Sequence, residues 1–390
     1  MVTLDRTDTD LSTCYRHGGS TLHTVWIMKR RQFLTRSVAM LGATSLGVKM
    51  SSASTQAGFC MPEESDPHER TFMQWPVSRK VHRDASFLKV LQKSIAKLAN
   101  TIAEFEPVVM LMDDQHKAAA SKMLSRQIEI WNISTDDLWC RDSGPIFVTN
   151  DKKQLAVAHI QFNGWGNKQV HTNDGRVAER VAQRLGVPLL DAGLVGEGGG
   201  VEVDGDGTAL AHESCWVNDN RNKLSRKVIE KRLLAALGAK KMIWAPGLKG
   251  ADITDYHIDA LARFVKPGVV AIQMPGQLDY NDPWSVAAFE TFNVLGSAKD
   301  AQGRSLELVT LPEPYNVRVA SADFLASYVN YYVCNGGVVA AQFGDRNTDA
   351  QVKSTLAKLY PGRDVVQLNV DPIGEVGGGI HCATQQQPKV

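Results

Sequence analysis

The feature that most restricts the fold of this chain is a repeated order of short strand and helix patterns. About five such units fit between Thr71 and Cys382, and they share little sequence identity. Neither a Pro/Ser-rich linker nor a change in composition separates one unit from the next. Short units of this kind bury their apolar faces against their neighbours. The sequence therefore predicts one α/β domain, residues 58–390, in which short mixed sheets are covered by helices.

Local patterns predict the positions of individual elements. Apolar residues recur at the 3.6-residue spacing of a helix across residues 87–105. A fully apolar run predicts a buried strand at Val108–Met112, and we expect residues 328–333 and 338–343 to pair as strands across a glycine turn. Titratable residues in unusual surroundings are expected at the ends of predicted strands, where loops from different units can converge.

The charge balance argues against two classes of partner. The 43 Lys and Arg residues are matched by 42 Asp and Glu residues, which leaves no basic excess to attract nucleic acid or anionic lipid. The six cysteines include no CxxC pair, so neither a zinc site nor a small disulfide framework is indicated. The cysteine pattern leaves open whether one of the six acts as a nucleophile.

The beginning of the chain has the layout of an export signal. Residues 1–27 are polar and lack periodicity, and we interpret them as an upstream extension ahead of Met28. Residues 28–57 combine the pair Arg30 and Arg31 with an apolar run and a zone of small residues, as twin-arginine signal peptides do. The apolar run is about a dozen residues long, against about 20 for a membrane-spanning helix. We expect export to the periplasm, with membrane contact only through the signal; a soluble amphipathic helix is the alternative.

Four segments place a titratable residue in an apolar or glycine-rich frame. They are Trp139-Cys140-Arg141-Asp142-Ser143-Gly144-Pro145, Glu197-Gly198-Gly199-Gly200, His257-Ile258-Asp259 and Gly377-Gly378-Gly379-Ile380-His381-Cys382. Glycines let the backbone approach a ligand closely, which leaves the last cysteine unobstructed. A lone cysteine is more often a small buried hydrophobe. Its interpretation as a reactive thiol therefore depends on the other three segments.

In this order the segments resemble the signatures of the agmatine deiminase and bacterial peptidylarginine deiminase family. The matching patterns are WxRDxGP, EGG followed by VDGDGT, HID followed by ARF, and GGGIHCxTQQQP. The resemblance extends from about Met61 to Pro388. It implies a five-bladed α/β propeller, the pentein fold, with the active site on a pseudo-fivefold axis. It also implies a guanidine hydrolase that needs no cofactor and no metal.

The resemblance assigns two residues to the bond-breaking steps. Cys382 is the candidate nucleophile, because a thiol is soft and forms covalent adducts readily. His257 is the candidate acid and base, which protonates the leaving nitrogen and then activates water. His381 is a rival for that role, but adjacent residues of an extended strand point to opposite faces.

Acidic and aromatic residues of the motifs are candidates for holding the substrate. Asp142 and Asp259 are the expected guanidinium holders, since a carboxylate can accept parallel N–H bonds from a planar fork. Glu197 is either a third acidic contact or a support for its loop. Arg141 is interpreted as a structural partner beside Asp142, and Trp139 either lines the substrate pocket or packs in the core.

Several functions fit this set of residues. The leading one is hydrolysis of agmatine to N-carbamoylputrescine and ammonia. Deimination of peptidyl or free arginine is a close alternative, an amidinotransferase is a more distant one, and a guanidinium-binding protein without turnover belongs to another class. A homo-oligomer is compatible with each.

The chain departs from the usual motifs of the family at three positions. Gly379 stands where Asn is usual, and Tyr256 and Ala260 flank the HID segment in place of Gly and Asn. We expect these neighbours to line the same pocket. They therefore bear on the choice of substrate rather than on the reaction.

Overall fold

The computed structural model describes residues 58–321 and 323–390. The predicted extension at 1–27 and the predicted signal peptide at 28–57 lie outside the described residues. No helix within the described ranges is long and apolar enough to cross a membrane.

The described strands form five small sheets that share one internal order. The strands are β1 (His68–Gln74), β2 (Val108–Met112), β3 (Glu129–Asn132), β4 (Ile146–Thr149), β5 (Leu155–Gln161), β6 (Leu189–Val195), β7 (Val201–Val203), β8 (Thr208–His212), β9 (Lys241–Ala245), β10 (Ala262–Lys266), β11 (Val269–Met274), β12 (Glu307–Pro312), β13 (Tyr332–Cys334), β14 (Gly337–Ala341), β15 (Asp364–Leu368) and β16 (Thr384–Pro388). Three consecutive strands make up each of four sheets, and the remaining sheet has the order β16-β1-β2-β3. In every sheet the first pair is antiparallel and the next is parallel.

Helices connect the parallel strands, as a crossover in a parallel pair requires. The described helices are α1 (Ala85–Ile102), α2 (Asp114–Ala120), α3 (Cys140–Ser143), α4 (Gly164–Asn167), α5 (Val177–Leu185), α6 (Glu213–Trp216), α7 (Arg226–Leu237), α8 (Pro283–Ser297), α9 (Arg346–Leu359) and α10 (Asp371–Gly374). The six parallel pairs are crossed by helices α1, α2, α5, α7, α8 and α9; α1 and α2 both belong to the four-stranded sheet. The predicted α/β fold of short mixed sheets is confirmed.

Helix α1 shows how the sequence determines an element. The carboxylate of Asp84 accepts hydrogen bonds from the backbone N–H groups of Ser86 and Phe87, so the helix begins before the predicted residue 87. One face of the helix is buried at Leu91, Ile95, Leu98 and Ile102. The helix ends at Ile102, three residues earlier than its apolar pattern predicts.

The predicted strand at residues 328–333 is mostly wrong. Only β13 is extended and paired, and the preceding residues 328–331 form a buried loop. The loop satisfies its backbone by other contacts: the N–H of Tyr328 donates to Oε1 of Gln273 at 2.7 Å. Burial of an aromatic-rich loop thus produces the same apolar pattern as a strand.

Two strands were not expected from the sequence. In β6, Asp191 and Gly193 interrupt the apolar pattern, and Gly193 has a φ of +62°. Strand β16 contains three glutamines, which do not predict a strand, but it is buried and pairs antiparallel with β1. The carbonyl of the Gln386 side chain accepts a hydrogen bond from Arg141 at 2.9 Å, which satisfies a polar group in the interior.

Candidate active site

In each of the five sheets, a polar residue of the site lies two to four residues before the first strand. Asp142 precedes β4, Glu197 precedes β7, Asp259 precedes β10, Asn330 precedes β13 and Cys382 precedes β16. The expectation that the motif residues lie at the ends of strands is confirmed, and Glu197 also lies two residues after the end of β6. Because the five positions are equivalent within their units, the same local geometry can direct all five side chains to one place.

Gly199 marks the place where three of the predicted residues meet. A Cβ on Gly199 would lie 2.8 Å from Oδ1 of Asp142, 2.8 Å from Nδ1 of His257 and 3.0 Å from Oδ2 of Asp259. The same Oδ2 lies 3.7 Å from Sγ of Cys382. The structure therefore brings both predicted carboxylates, the predicted acid and the predicted nucleophile into one site.

His257 lies between two carboxylates. Its Nε2 is 3.2 Å from Oε2 of Glu197, and its Nδ1 is 3.6 Å from Oδ1 of Asp142. Burial by itself would lower the pKa of His257, but the charges of Asp142 and Glu197 outweigh burial and raise it to about 9. The imidazole is therefore protonated at neutral pH and can act as an acid. Glu197 is held by Arg221, whose Nε donates to Oε1 at 2.9 Å.

Asp142 is buried and hydrogen-bonded through both oxygens. The backbone N–H of Gly199 donates to Oδ1 at 3.1 Å, and Nε1 of Trp165 donates to Oδ2 at 2.9 Å. Burial raises the pKa of Asp142 to about 6, although the charge of His257 opposes this shift. Asp142 is therefore ionised at neutral pH and becomes neutral in mild acid.

Asp259 is the least exposed of the acidic site residues, at 0%. Burial would raise its pKa, but the hydrogen bond and the charge of His381 outweigh that effect, so the pKa of Asp259 is lowered. Its Oδ2 lies 2.7 Å from Nδ1 of His381. Its Oδ1 is buried and has no hydrogen-bond partner among the described residues. An ionised, buried carboxylate with one unpaired oxygen is suited to accept hydrogen bonds from the N–H groups of a cationic ligand.

His381 supports Asp259 rather than competing with His257. Its ring lies between Oδ2 of Asp259 and Oε2 of Glu64, at 2.7 and 2.8 Å. His381 and Cys382 lie in a turn before β16, so their side chains do not alternate between the two faces of a strand as the sequence predicted.

Cys382 is partly exposed, unlike the other candidate site residues. Its Sγ accepts a hydrogen bond from Nδ2 of Asn330 at 3.2 Å. Burial, and then the charges of Asp259 and Asp142, raise the pKa of the thiol well above its ordinary value. A cation bound between these carboxylates would offset both charges and favour the thiolate.

Trp139 and Arg141 have structural contacts in this site. The Trp139 ring packs against Gly378, where a Cβ would lie 2.2 Å from Cζ3, and Trp139 belongs to a large buried cluster. This placement supports core packing for Trp139. Arg141 pairs with Glu64 at 3.0 Å and not with Asp142, which corrects the predicted partner of this arginine.

Sequence reasoning missed several residues that touch the site. These are Glu64, Trp165, Arg221 and Asn330, together with the supporting role of His381. Asn330 left a signal, since it is an amide inside the apolar and aromatic run Tyr328-Val329-Asn330-Tyr331-Tyr332. No motif contains the other three residues, Glu64, Trp165 and Arg221, so their contact with the site could not be predicted from the sequence.

Within residues 58–321 and 323–390, no group of three or more His, Cys, Asp or Glu side chains is arranged to hold a metal ion. The cysteines of these ranges, Cys60, Cys140, Cys215, Cys334 and Cys382, are free thiols.

Comparison with known proteins identifies the family. Residues 60–388 match the Porphyromonas-type peptidyl-arginine deiminase family. The chain belongs to this family. Membership makes the protein a hydrolase that acts on guanidino C–N bonds.

Individual relatives match over nearly their whole length. A protein of Legionella pneumophila (strain Paris), provisionally assigned as an agmatine deiminase, is 37% identical over 344 residues, which cover 87% of this chain and 98% of the relative. The agmatine deiminase of Stutzerimonas stutzeri is 35% identical over 365 residues, covering 87% and 98%. The solved structure of the agmatine deiminase of Enterococcus faecalis superposes with a TM-score of 0.79 at 30% identity, covering 86% of this chain and 97% of that one.

Proposed function

We propose that this protein hydrolyses agmatine to N-carbamoylputrescine and ammonia through a covalent intermediate on Cys382. The observation that carries the proposal is the Oδ1 atom of Asp259, a buried acceptor without a partner among the described residues. The other oxygen of this carboxylate lies 3.7 Å from the candidate nucleophile. A planar guanidinium that donates to Asp259 would therefore hold its central carbon near Sγ.

The charges of the site favour the first chemical step, in which the Cys382 thiol loses its proton and attacks the guanidinium. A guanidinium between Asp142 and Asp259 offsets the two charges that raise the pKa of the Cys382 thiol. The thiol then releases its proton to water, and the thiolate attacks the guanidinium carbon to form a C–S bond. The protonated His257 donates a proton to one terminal nitrogen, the C–N bond breaks and ammonia leaves.

The second step regenerates the enzyme. Loss of ammonia leaves an amidino group bonded to sulfur, and the neutral His257 takes a proton from an attacking water. As the C–S bond breaks, the new hydroxyl group on the carbon loses its proton to bulk water, the thiolate is released and the former guanidinium carbon carries a carbonyl oxygen. Glu197, held by Arg221, keeps the His257 ring in position through both half-reactions.

Ion pairing around the site favours a substrate without an α-carboxylate. Such a carboxylate needs a basic partner, but Arg141 and Arg263 are paired with Glu64, and Arg221 is paired with Glu197. The tail of agmatine carries an amine instead. The site is also largely buried, with Asp142, Glu197 and His257 exposed by 6% or less, which favours a small molecule over an arginine within a peptide.

Substrate comparison on one preparation tests the proposal. We expect kcat/KM for ammonia release to be highest with agmatine, lower with a peptide containing an internal arginine, and lowest with free arginine. Cys382→Ser should abolish release because a hydroxyl is far less ionised than a thiol, whereas Cys60→Ser, at an exposed cysteine, should not. A higher value for the peptide would assign peptidylarginine as the substrate, and binding of agmatine without ammonia release would contradict agmatine hydrolysis.

The arrangement proposed for residues 58–390 is one domain with five blades around a pseudo-fivefold axis. Five sheets of the same internal order, each with a polar residue before its first strand, support this proposal. An experimental structure with the sheets around one axis would be the expected result, and an open row of sheets would contradict it.

The proposed location is the periplasm, reached by the twin-arginine route. Its support is the Arg30-Arg31 pair and the short apolar run that follows. N-terminal sequencing of the exported protein should show that residues up to the small-residue zone have been removed. Export that is unchanged in the Arg30→Lys plus Arg31→Lys variant would contradict this location.

A further inference from the structure

Asp255 is a buried carboxylate to which three loops of the chain bind. Its Oδ2 accepts hydrogen bonds from Nζ of Lys168 at 2.9 Å, Nη1 of Arg221 at 2.5 Å and Nδ2 of Asn220 at 3.2 Å. Its Oδ1 accepts from the backbone N–H of Gly250 at 2.8 Å. Because all four partners are donors, an amide at this position would direct its NH2 group at another donor. The contacts at Asp255 therefore require a carboxylate.

Arg221 connects this carboxylate to the candidate active site. Its guanidinium is fully buried between two acidic groups: Nη1 donates to Asp255, and Nε donates to Oε1 of Glu197 at 2.9 Å. The other oxygen of Glu197 lies 3.2 Å from Nε2 of His257. The four side chains form a buried chain of alternating charge. Because Asp255 balances the charge of Arg221, Glu197 can direct its second oxygen and its charge to His257.

The turn that contains Asp255 has an unusual backbone conformation. The φ angles of Asp255 and Tyr256 are +61° and +68°, in the left-handed region, which Asp and Asn adopt more readily than other non-glycine residues. An asparagine at 255 therefore fits the same backbone. The turn is also closed by Oδ1 of Asp252, which accepts from the backbone N–H groups of Thr254 and Tyr256 at 2.8 and 3.0 Å. The carboxylate of Asp252 thus supports the same turn through contacts that do not include Arg221.

His257 is surrounded by groups whose charges affect its own titration. The carboxylates of Asp142 and Glu197 face it from the segments before β4 and β7, and Asp259 faces it from its own segment. His212, at the end of β8, has a pKa that burial, with a smaller effect from the charge of His257, lowers to about 4. The pKa of Asp142 is raised to about 6, and that of Asp259 is lowered. These three groups complete their titration below pH 8, so they do not obscure a titration of His257 near pH 9.

We propose that Asp255 is a positioning residue for the acid of the reaction: it balances and orients Arg221, so that Glu197 keeps its hydrogen bond and its charge for His257. The role in turnover rests on the proposed function, whereas the chain of charges belongs to the free enzyme. The contrasting view is that Asp255 only closes the turn before His257.

The pKa of the His257 imidazole separates these two views without any substrate. It is measured by NMR of the full chain labelled at histidine, between pH 6 and 10.5, and the His257→Gln variant identifies its signal. In Asp255→Asn the unbalanced Arg221 should attract Glu197 more strongly, so we expect the pKa of His257 to fall by about one pH unit, a tenfold loss of proton affinity. The decrease in kcat at alkaline pH should move by the same amount. A pKa equal to that of the parent would overturn the proposal.

The same turn supplies a matched control. Asp252→Asn makes the same chemical change and removes charge from the turn, but its carboxylate supports only backbone groups and Thr254. It should leave the pKa of His257 unchanged. Asp255→Glu keeps the negative charge and should give a pKa close to that of the parent. A shift in either variant as large as that in Asp255→Asn would mean that the shape of the turn explains the result, and it would overturn the proposal.

Lys168 gives access to the chain of charges from its exposed end. Its side chain is 33% exposed, so Lys168→Met tests the proposal even if Asp255→Asn does not fold. Loss of this cation leaves the charge of Asp255 to Arg221 alone, and the pKa of His257 should rise by roughly 0.3 pH units, a small change because a partly exposed charge is screened. An unchanged or lowered pKa in Lys168→Met would contradict the proposal.

The outcome for Asp255 is independent of the outcome for the proposed function. If Asp255→Asn lowers the pKa of His257 while the parent releases no ammonia from agmatine, the positioning of His257 is supported and the proposed function fails. If agmatine is hydrolysed while the pKa stays at the parent value, the proposed function is supported and the role of Asp255 is rejected.

Discussion

At the scale of single residues, the site depends on two carboxylates whose pKa values are shifted in opposite directions by their surroundings. His381 holds Asp259 ionised, whereas burial raises the pKa of Asp142 to about 6. Together with Glu197 they keep His257 protonated. A bound cation would therefore balance the negative charges of Asp142 and Asp259, which is consistent with a guanidinium ligand.

The decrease in kcat/KM at acidic pH should follow the protonation of Asp142. As the pH falls through about 6, this carboxylate is protonated and no longer attracts a cation, so kcat/KM for agmatine should decrease with an apparent pKa near 6. Initial rates of ammonia release at low agmatine concentration between pH 4.5 and 8 measure this limb. An apparent pKa at the ordinary aspartate value of about 3.9 would contradict the assignment.

The catalytic residues could be proposed from the sequence because each lies in a short motif with unusual neighbours. Asn330 and Glu64 could not, since their partners are remote: Asn330 contacts Cys382 across 52 positions, and Glu64 contacts His381 across 317. Only the folded chain brings such pairs together. Arg141 shows the opposite error, because adjacency to Asp142 in sequence suggested a partner that the fold does not provide.

At the scale of elements, the turn at Gly198–Gly200 leaves no room for a side chain at Gly199. Gly199→Ala should retain the fold but lower kcat/KM by about 100-fold or more, because the added methyl group would displace Asp142, His257 and Asp259 together. Ammonia release and circular dichroism on the same preparation measure both effects.

A glycine in helix α8 provides the control for this substitution. The nearest atom to a Cβ on Gly296 is Cδ1 of Leu308 at 3.9 Å, and the position is exposed. Gly296→Ala should keep full activity and change the free energy of unfolding by at most about 1 kcal/mol, in the stabilising direction. Normal activity in Gly199→Ala would remove this turn from the site.

Elements with a strong local pattern were predictable, and those defined by tertiary contacts were not. Strand β2 matches its apolar run from Val108 to Met112. Strand β16 could not be recognised, because its glutamines are buried only through pairing with β1 and contacts such as the one from Arg141. The loop at residues 328–331 was mistaken for a strand, because burial selects apolar residues in either conformation.

At the scale of the whole molecule, Glu64 connects the beginning of the described chain to the remote segments that form the site. Its Oε1 accepts from Arg263 and from the backbone N–H of Val333, both at 2.9 Å, and its Oε2 contacts Arg141 and His381. Burial would raise the pKa of Glu64, but Arg263, His381 and Arg141 lower it well below its ordinary value. The site is therefore held by a buried ionic network.

Removing this charge should destabilise the protein. Glu64→Gln leaves buried arginines without their counter-charge and should lower the free energy of unfolding by about 3 to 5 kcal/mol at pH 7. Because the folded-state pKa is depressed, this contribution exists above the unfolded pKa and declines as the pH falls towards and below it. The difference between parent and variant in urea unfolding should therefore shrink in acid.

An exposed glutamate supplies the comparison for this network. Glu69 forms a surface pair with Arg70 at 3.5 Å, and its side chain is 46% exposed. Glu69→Gln should change the free energy of unfolding by about 1 kcal/mol or less. Equal effects of Glu64→Gln and Glu69→Gln would show that the buried network does not stabilise the fold.

The central claim is that Cys382 forms a covalent bond to the guanidinium carbon during turnover. The most direct measurement is rapid acid quenching of the enzyme with agmatine, followed by mass spectrometry of the peptide that contains Cys382. We expect a transient mass increase on that peptide equal to the mass of agmatine less that of ammonia, and we expect no such increase in Cys382→Ser. Ammonia release at the normal rate with the adduct on another residue, or release by Cys382→Ser, would contradict it.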